Sequence, residues 1–244
     1  MARTGIGVQG TAVRVLIVSM CLCGVAAYAQ SPLSTLRPTP RVFFLPTANA
    51  IGAGHGFISD YELFALYGGV GIGDVVSVTA GTTLVPLLAF SSQISTAQVK
   101  ATFVQDDGFA MALGGSVTTV SSANTYSHLF INSSLLVDST WYTLAFYYKL
   151  GGPDFAAVDA APFGNFAFSY TGSLGIAFGV DIAVRNHADM HIVAELWNHD
   201  VANPRHTMIL GGMRIGNDVL SGTFGLVFTP VPFIFPMANF SYEW

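Results

Sequence analysis

The stretch Leu174-Gly175-Ile176-Ala177-Phe178-Gly179-Val180-Asp181-Ile182-Ala183-Val184 decides how this chain folds. Large apolar residues hold every second position, and Gly, Ala or Asp fill the positions between. A period of two puts successive side chains on opposite faces of a β-strand, so this strand has one apolar face and one small or polar face. The same alternation runs through residues 97–103. It recurs in His128–Val137, where Leu129, Ile131, Ser133, Leu135 and Val137 share a face. Apolar faces this many and this regular exceed what one soluble core needs. Apolar outward and small or polar inward is the pattern of a transmembrane antiparallel β-barrel.

Composition points the same way. Charged residues make up 9% of the 244 positions, hydrophobic residues 52%, and mean hydropathy is +0.55. A typical soluble domain carries about 25% charge. A disordered chain needs high charge and low hydropathy, and a soluble enzyme needs a more charged surface. A lipid bilayer admits only helices or closed barrels. Val75–Val99 and Val219–Tyr242 lack charged residues, so length alone would suggest helices. However, the first contains eight Ser/Thr, two Gln, Gly81 and Pro86, and the second Pro230, Pro232 and Pro236. These interruptions fall at strand intervals. No basic run exists, which excludes nucleic acid as an electrostatic partner.

Residues 1–29 read as an address. Arg3 and Arg14 precede the mostly apolar run 15–27, and Ala27-Tyr28-Ala29 is a small-x-small cleavage pattern. This is the layout of a secretory signal peptide cut after Ala29. A signal anchor is the rival reading. Cys21 and Cys23 are the chain's two cysteines, so a domain of residues 30–244 has no disulfide framework.

Turn signals punctuate that domain. Short ones lie at Gly71–Asp74, Asp106–Gly108, Asp138–Thr140, Asn186–Asp189 and Gly216–Asp218, each suited to a hairpin. Longer connections, at about 87–95, 121–126, 151–170 and 199–205, alternate with them. Five hairpins supply ten strands. A strand near Arg41–Pro46 and a final one ending at Trp244 make about 12, with both termini at the tight-turn end. Ten is the alternative, because the first strand and 163–172 have the weakest pattern. The expected fold is a single all-β, up-and-down barrel.

The chain ends Phe240-Ser241-Tyr242-Glu243-Trp244, with three aromatics on one face. This resembles the C-terminal strand of Gram-negative outer-membrane β-barrel proteins. The resemblance implies an outer-membrane location and makes Phe240, Tyr242 and Trp244 a signal for the barrel-assembly machinery. Phe43–Thr47, with Gly54–Phe57 and Asp60–Leu63, is similar to the start of bacterial barrels of unspecified activity, so no site residue carries over.

Phasing each strand by its apolar face turns a polar set inward: Asp60, Glu62, Lys100, His128, Lys149, Asp181, Arg185, His191, Glu195 and Arg214. Asn132, Asn239 and Glu243 join it. Small residues lie between, among them Gly114, Ser116, Gly175, Ala177, Gly179, Ser221 and Gly225. Either these charges pair and plug the lumen, or water fills it and they set solute preference. A narrow channel for small solutes is the leading expectation and a plugged structural or surface-interaction barrel the alternative. Loop 151–170 is a candidate constriction. Tyr67, Trp141, Tyr142, Tyr242 and Trp244 read as interfacial girdle residues.

Enzymatic chemistry has thinner support. His191 and Glu195 share a strand face four residues apart, about 13 Å end to end, too far for one metal. Ser127 and His128 face opposite sides of a strand, so they are no direct catalytic pair. His128 or His199 against a serine or aspartate on another strand stays open as a lipid-active or proteolytic site. No Gly-x-Ser-x-Gly elbow occurs. The expected protein is not an enzyme and carries no cofactor or metal. Its expected partners are outer-membrane lipids, the assembly machinery and small solutes.

Overall fold

A computed structural model describes residues 39–244 apart from 63, 87, 121–123, 160–164, 170, 185–188, 218 and 230–233. The signal-peptide expectation and the inward placement of Arg185 therefore lie outside the described residues.

Twelve antiparallel strands close into a barrel. In chain order they begin with β1 (Gly56–Tyr61), β2 (Ala65–Ile72), β3 (Val76–Thr83), β4 (Ile94–Asp106), β5 (Phe109–Val120), β6 (Asn124–Val137) and β7 (Thr140–Gly151). β8 (Phe155–Asp159) and β9 (Asn165–Ser169) pair only with each other. The barrel resumes with β10 (Leu174–Ala183), β11 (Met190–Asn198), β12 (Thr207–Gly216), β13 (Leu220–Phe228) and β14 (Ile234–Glu243). β7 pairs with β10, and β1 pairs with β14 to shut the ring. Each of the five tight turns expected from sequence lies between two strands that pair with each other, with residues 186–188 and 218 of the last two turns outside the described residues. At the Asp138 turn the backbone takes φ 54, which aspartate tolerates better than most residues.

One strand departs from the sequence reading. The first strand of the ring runs from Gly56 to Tyr61, not from Arg41 to Pro46. Arg41 and Pro46 instead form an isolated bridge with each other. Pro40 and Pro46 cannot donate to a ladder, and the apolar run between them has only four residues. Gly56–Tyr61 offers an unbroken donor series. Trp244 N donates to Gly56 O at 3.0 Å, and Gly56 N to Trp244 O at 3.1 Å, closing the seam.

The outer surface is apolar. Leu66, Val70, Leu113, Val117, Leu129, Ile131, Phe178, Ile192, Ile209 and Phe224 are all exposed. Water would penalise such a belt, whereas hydrocarbon accepts it. On a barrel with no free edge this is the surface of a membrane-spanning fold. No helix among the described residues is long and apolar enough to cross a membrane.

Candidate functional site

The lumen is occupied by the chain itself. Residues 39–52, immediately before β1, lie inside the ring, and we call them the strap. Val42, Leu45 and Ala48 have no exposed surface, and Phe43, Thr47 and Asn49 are buried. The strap folds back tightly. Val42 N donates to Leu45 O at 2.9 Å and Thr47 N to Pro40 O at 3.1 Å.

Side chains from four strands of the wall grip its backbone. On β11, Glu195 Oε1 accepts from Phe43 N at 2.5 Å and from Leu45 N at 2.8 Å, while Oε2 accepts from Trp197 Nε1 at 2.7 Å. On β4, Lys100 Nζ donates to Thr47 O at 2.5 Å and Asn49 O at 2.6 Å, and Thr102 Oγ1 donates to Ala48 O at 2.7 Å. On β6, Asn132 Nδ2 donates to Pro46 O at 2.8 Å, and Ser134 Oγ accepts from Ala48 N at 2.9 Å. On β12, Arg214 donates to the carbonyls of Val42 and Arg41. In the twelve-strand ring β4 and β12 are six positions apart in either direction. Lys100 and Arg214 therefore reach in from opposite walls, and the strap bridges the full bore.

Apolar contacts complete the fit. Phe43, Phe57, Tyr61 and Tyr67 join Val42 and Leu45 in one buried cluster with Val193, Leu210 and Val227 of the wall. The Arg41 guanidinium lies 3.3 Å from the Tyr67 ring centroid, and its Nη1 donates to Tyr61 Oη at 3.2 Å. Gly179 leaves the space that Val42 and Leu45 fill. A Cβ there would lie 2.9 Å from Val42 Cγ2 and 3.0 Å from Leu45 Cδ2.

Among the charges expected inward, Lys100, Asp181, Glu195 and Arg214 are buried inside the ring. Asp181 Oδ2 pairs with Arg214 Nη1 and Oδ1 with His191 Nδ1, each at 2.6 Å. Arg214 Nε also donates to Thr223 Oγ1 at 3.3 Å. A buried carboxylate is costly unless paired in this way. His128 and Lys149 are inward neighbours on β6 and β7. Lys149 Nζ bonds Asp154 Oδ1 at 2.8 Å, near the end opposite the tight turns.

Asp60 and Glu62 depart from the inward expectation. Asp60 registers with the exposed residues Phe240 and Leu66, which places it on the outer phase. Glu62 lies beyond the end of β1 at φ 56, accepting from Ala238 N. The inward residues of β1 are Phe57, Ser59 and Tyr61. Aromatic residues there look like a lipid face in sequence, but they line the bore because the strap gives them an apolar partner. Tyr67 and Trp141, read as girdle residues, are likewise buried rather than exposed. Tyr142, Phe240, Tyr242 and Trp244 are exposed on the outer face.

Sequence reasoning missed the strap as a lumen element. A signal was available: residues 39–52 never alternate, and prolines bracket the apolar run. Loop 151–170, the expected constriction, contributes the separate β8–β9 sheet.

Among the described residues, the cavities beside the strap are small. Cavities of about 20 Å³ next to Arg214 and about 10 Å³ next to Glu195 hold little more than one water each. A wider recess of about 350 Å³ opens at the tight-turn end, between residues 50–53 and Asp74, Gln105 and Glu243.

No protein-family model matches the chain, and no curated protein does. Among solved structures it is similar to a KdgM porin, with TM-score 0.49 and 9% identity over 78% of this chain and 96% of that one. It is also similar to a NanC porin, with TM-score 0.46 and 8% identity over 78% and 97%. A bacterial polysaccharide outer membrane secretin gives 0.40 and 14% over 74% and 68%.

Proposed function

We propose that the chain is a bacterial outer-membrane channel for passive passage of small solutes, shut in this conformation by residues 39–52. One observation carries the reading. The wall is complete without the strap, because β1 and β14 close the ring and the strap contributes no stave. Withdrawing it breaks no ladder hydrogen bond between staves. It would uncover a bore lined by Lys100, Arg214, Glu195, Asp181 and hydroxyl groups, which water can wet. The exposed aromatics Phe240, Tyr242 and Trp244 support the proposal that the last strand addresses the barrel to the assembly machinery. The apolar belt supports outer-membrane lipids as its surroundings. This reading has no catalytic step.

The second reading is a permanently plugged barrel that works through its outer loops. It is favoured by how completely the strap satisfies Glu195 and Lys100.

Both readings meet in one experiment. Residues 30–244 contain no cysteine. Ala48→Cys with Ser134→Cys, at positions whose backbone N and Oγ lie 2.9 Å apart, would let a disulfide lock the strap to β6. Planar-bilayer recording is expected to give discrete steps from the reduced protein and silence from the oxidised one. Equal silence from both forms of a demonstrably folded barrel would remove the channel reading in favour of the plugged one.

A further inference from the structure

The lumen treats the strap as a receptor treats a ligand. Glu195, Lys100, Asn132 and Ser134 all bond main-chain amides or carbonyls of residues 43–49, so this grip is indifferent to the strap's side chains. Selectivity enters at two places. Arg41 lies over Tyr67 and bonds Tyr61, an aromatic seat for a cation. Val42 and Leu45 fill the hollow over Gly179, which would not accept them if residue 179 carried a side chain. The covalent tether is slight. Gly52 at φ +88 and Gly54 at φ +75 flank Ala53 in an exposed link at the tight-turn end.

We infer that the inner wall is a peptide-binding site. Its ligand class is a short turn-forming peptide led by an arginine and followed by an apolar run, and residues 39–52 are the resident ligand in cis. The inference deepens the proposed gating and rests on it for its biological meaning. The binding itself needs no conductance. A peptide of this chemistry in trans competes for the wall, holding the lumen shut when the chain's own strap is away.

The test uses the chain from residue 30 with a protease recognition sequence inserted between Ala53 and Gly54. After folding, the link is cut. The freed strap is expected to co-elute with the barrel through size exclusion in detergent. It should then exchange with a fluorescent synthetic peptide of residues 39–52. Peptides carrying Arg41→Ala, or Val42→Asp with Leu45→Asp, should compete at least tenfold less well. A Glu195→Ala barrel should bind the parent peptide at least tenfold less tightly, and Glu195→Gln, which keeps one carbonyl oxygen, should recover part of the loss. Migration of the unheated barrel on a gel reports folding for each variant.

Immediate release of the cut strap with no rebinding by a folded barrel would overturn the inference. So would equal competition by all the peptides. Conductance of the strap-free barrel is read separately. Steps without peptide binding would sink this inference and leave the channel standing. Peptide binding without steps would do the reverse.

Discussion

Gly179 shows how much one missing side chain decides. In the β10 sequence it is one small inward residue among several, alternating with Phe178 and Val180. In the barrel it is where Val42 and Leu45, the strap's two largest fully buried side chains, rest. Gly179→Leu would put a branched chain into space already held by Val42 and Leu45. Overpacking of this kind costs about 1–3 kcal/mol, and here the strap, not the hydrogen-bonded wall, is free to yield. Trypsin is expected to cut after Arg41 at least tenfold faster in this variant, while the unheated barrel keeps its gel mobility. Unchanged cleavage would mean that the strap is not seated against Gly179.

Among the elements, β10, β11 and β12 are joined twice, by ladder bonds and by the Asp181–His191–Arg214 cluster inside them. Asp181 is 5% exposed, so it has no water to fall back on if its cation is lost. Removing one member of such a buried pair costs about 3–5 kcal/mol, because the other charge is stranded. Arg214→Met should lower stability by that amount, and Asp181→Leu in the same background should return a substantial part of it. Denaturant unfolding of the wild type, the two single variants and the double variant checks this. Strictly additive losses would show that the two side chains act separately. Arg214 also holds the strap, so both Arg214 variants should lose protection of the 41–42 backbone against hydrogen exchange.

At the scale of the whole molecule, solvent is inverted: hydrocarbon lies outside and polar groups lie within. Leu129, near the middle of β6, is 46% exposed. Leu129→Lys should therefore cost about 2–4 kcal/mol in lipid vesicles if it lies at the bilayer midplane, falling to about 0–1 kcal/mol for a site at the interface. Equilibrium unfolding from vesicles measures it. A cost near zero at Leu129 together with Leu113 and Phe224 would contradict the assignment of this belt to lipid.

Alternation, turn chemistry and the lack of charge were enough, read along the chain, to reach a barrel of about twelve strands, with ten as the alternative, and its five tight turns, but they set the first strand at Arg41–Pro46 instead of Gly56–Tyr61. These are local properties: a strand's two faces show in every second residue, and a hairpin needs its turn residues in place. Lys100 and Asp181 were legible as inward residues for the same reason, since each lies on a strongly alternating strand, whereas His191, Glu195 and Arg214 lie on β11 and β12, which carry apolar residues on both faces. Only the tertiary structure decided what those charges face. Residues 39–52 hold no register with any stave, and their partners on β4, β6, β11 and β12 are dozens to more than a hundred residues away. The inner aromatics of β1 followed from that placement, because an apolar side chain turns toward whichever apolar partner is near, lipid outside or strap within. The physical reason is that periodicity records which face a residue occupies, whereas the contents of the enclosed space depend on which segment the closed ring surrounds.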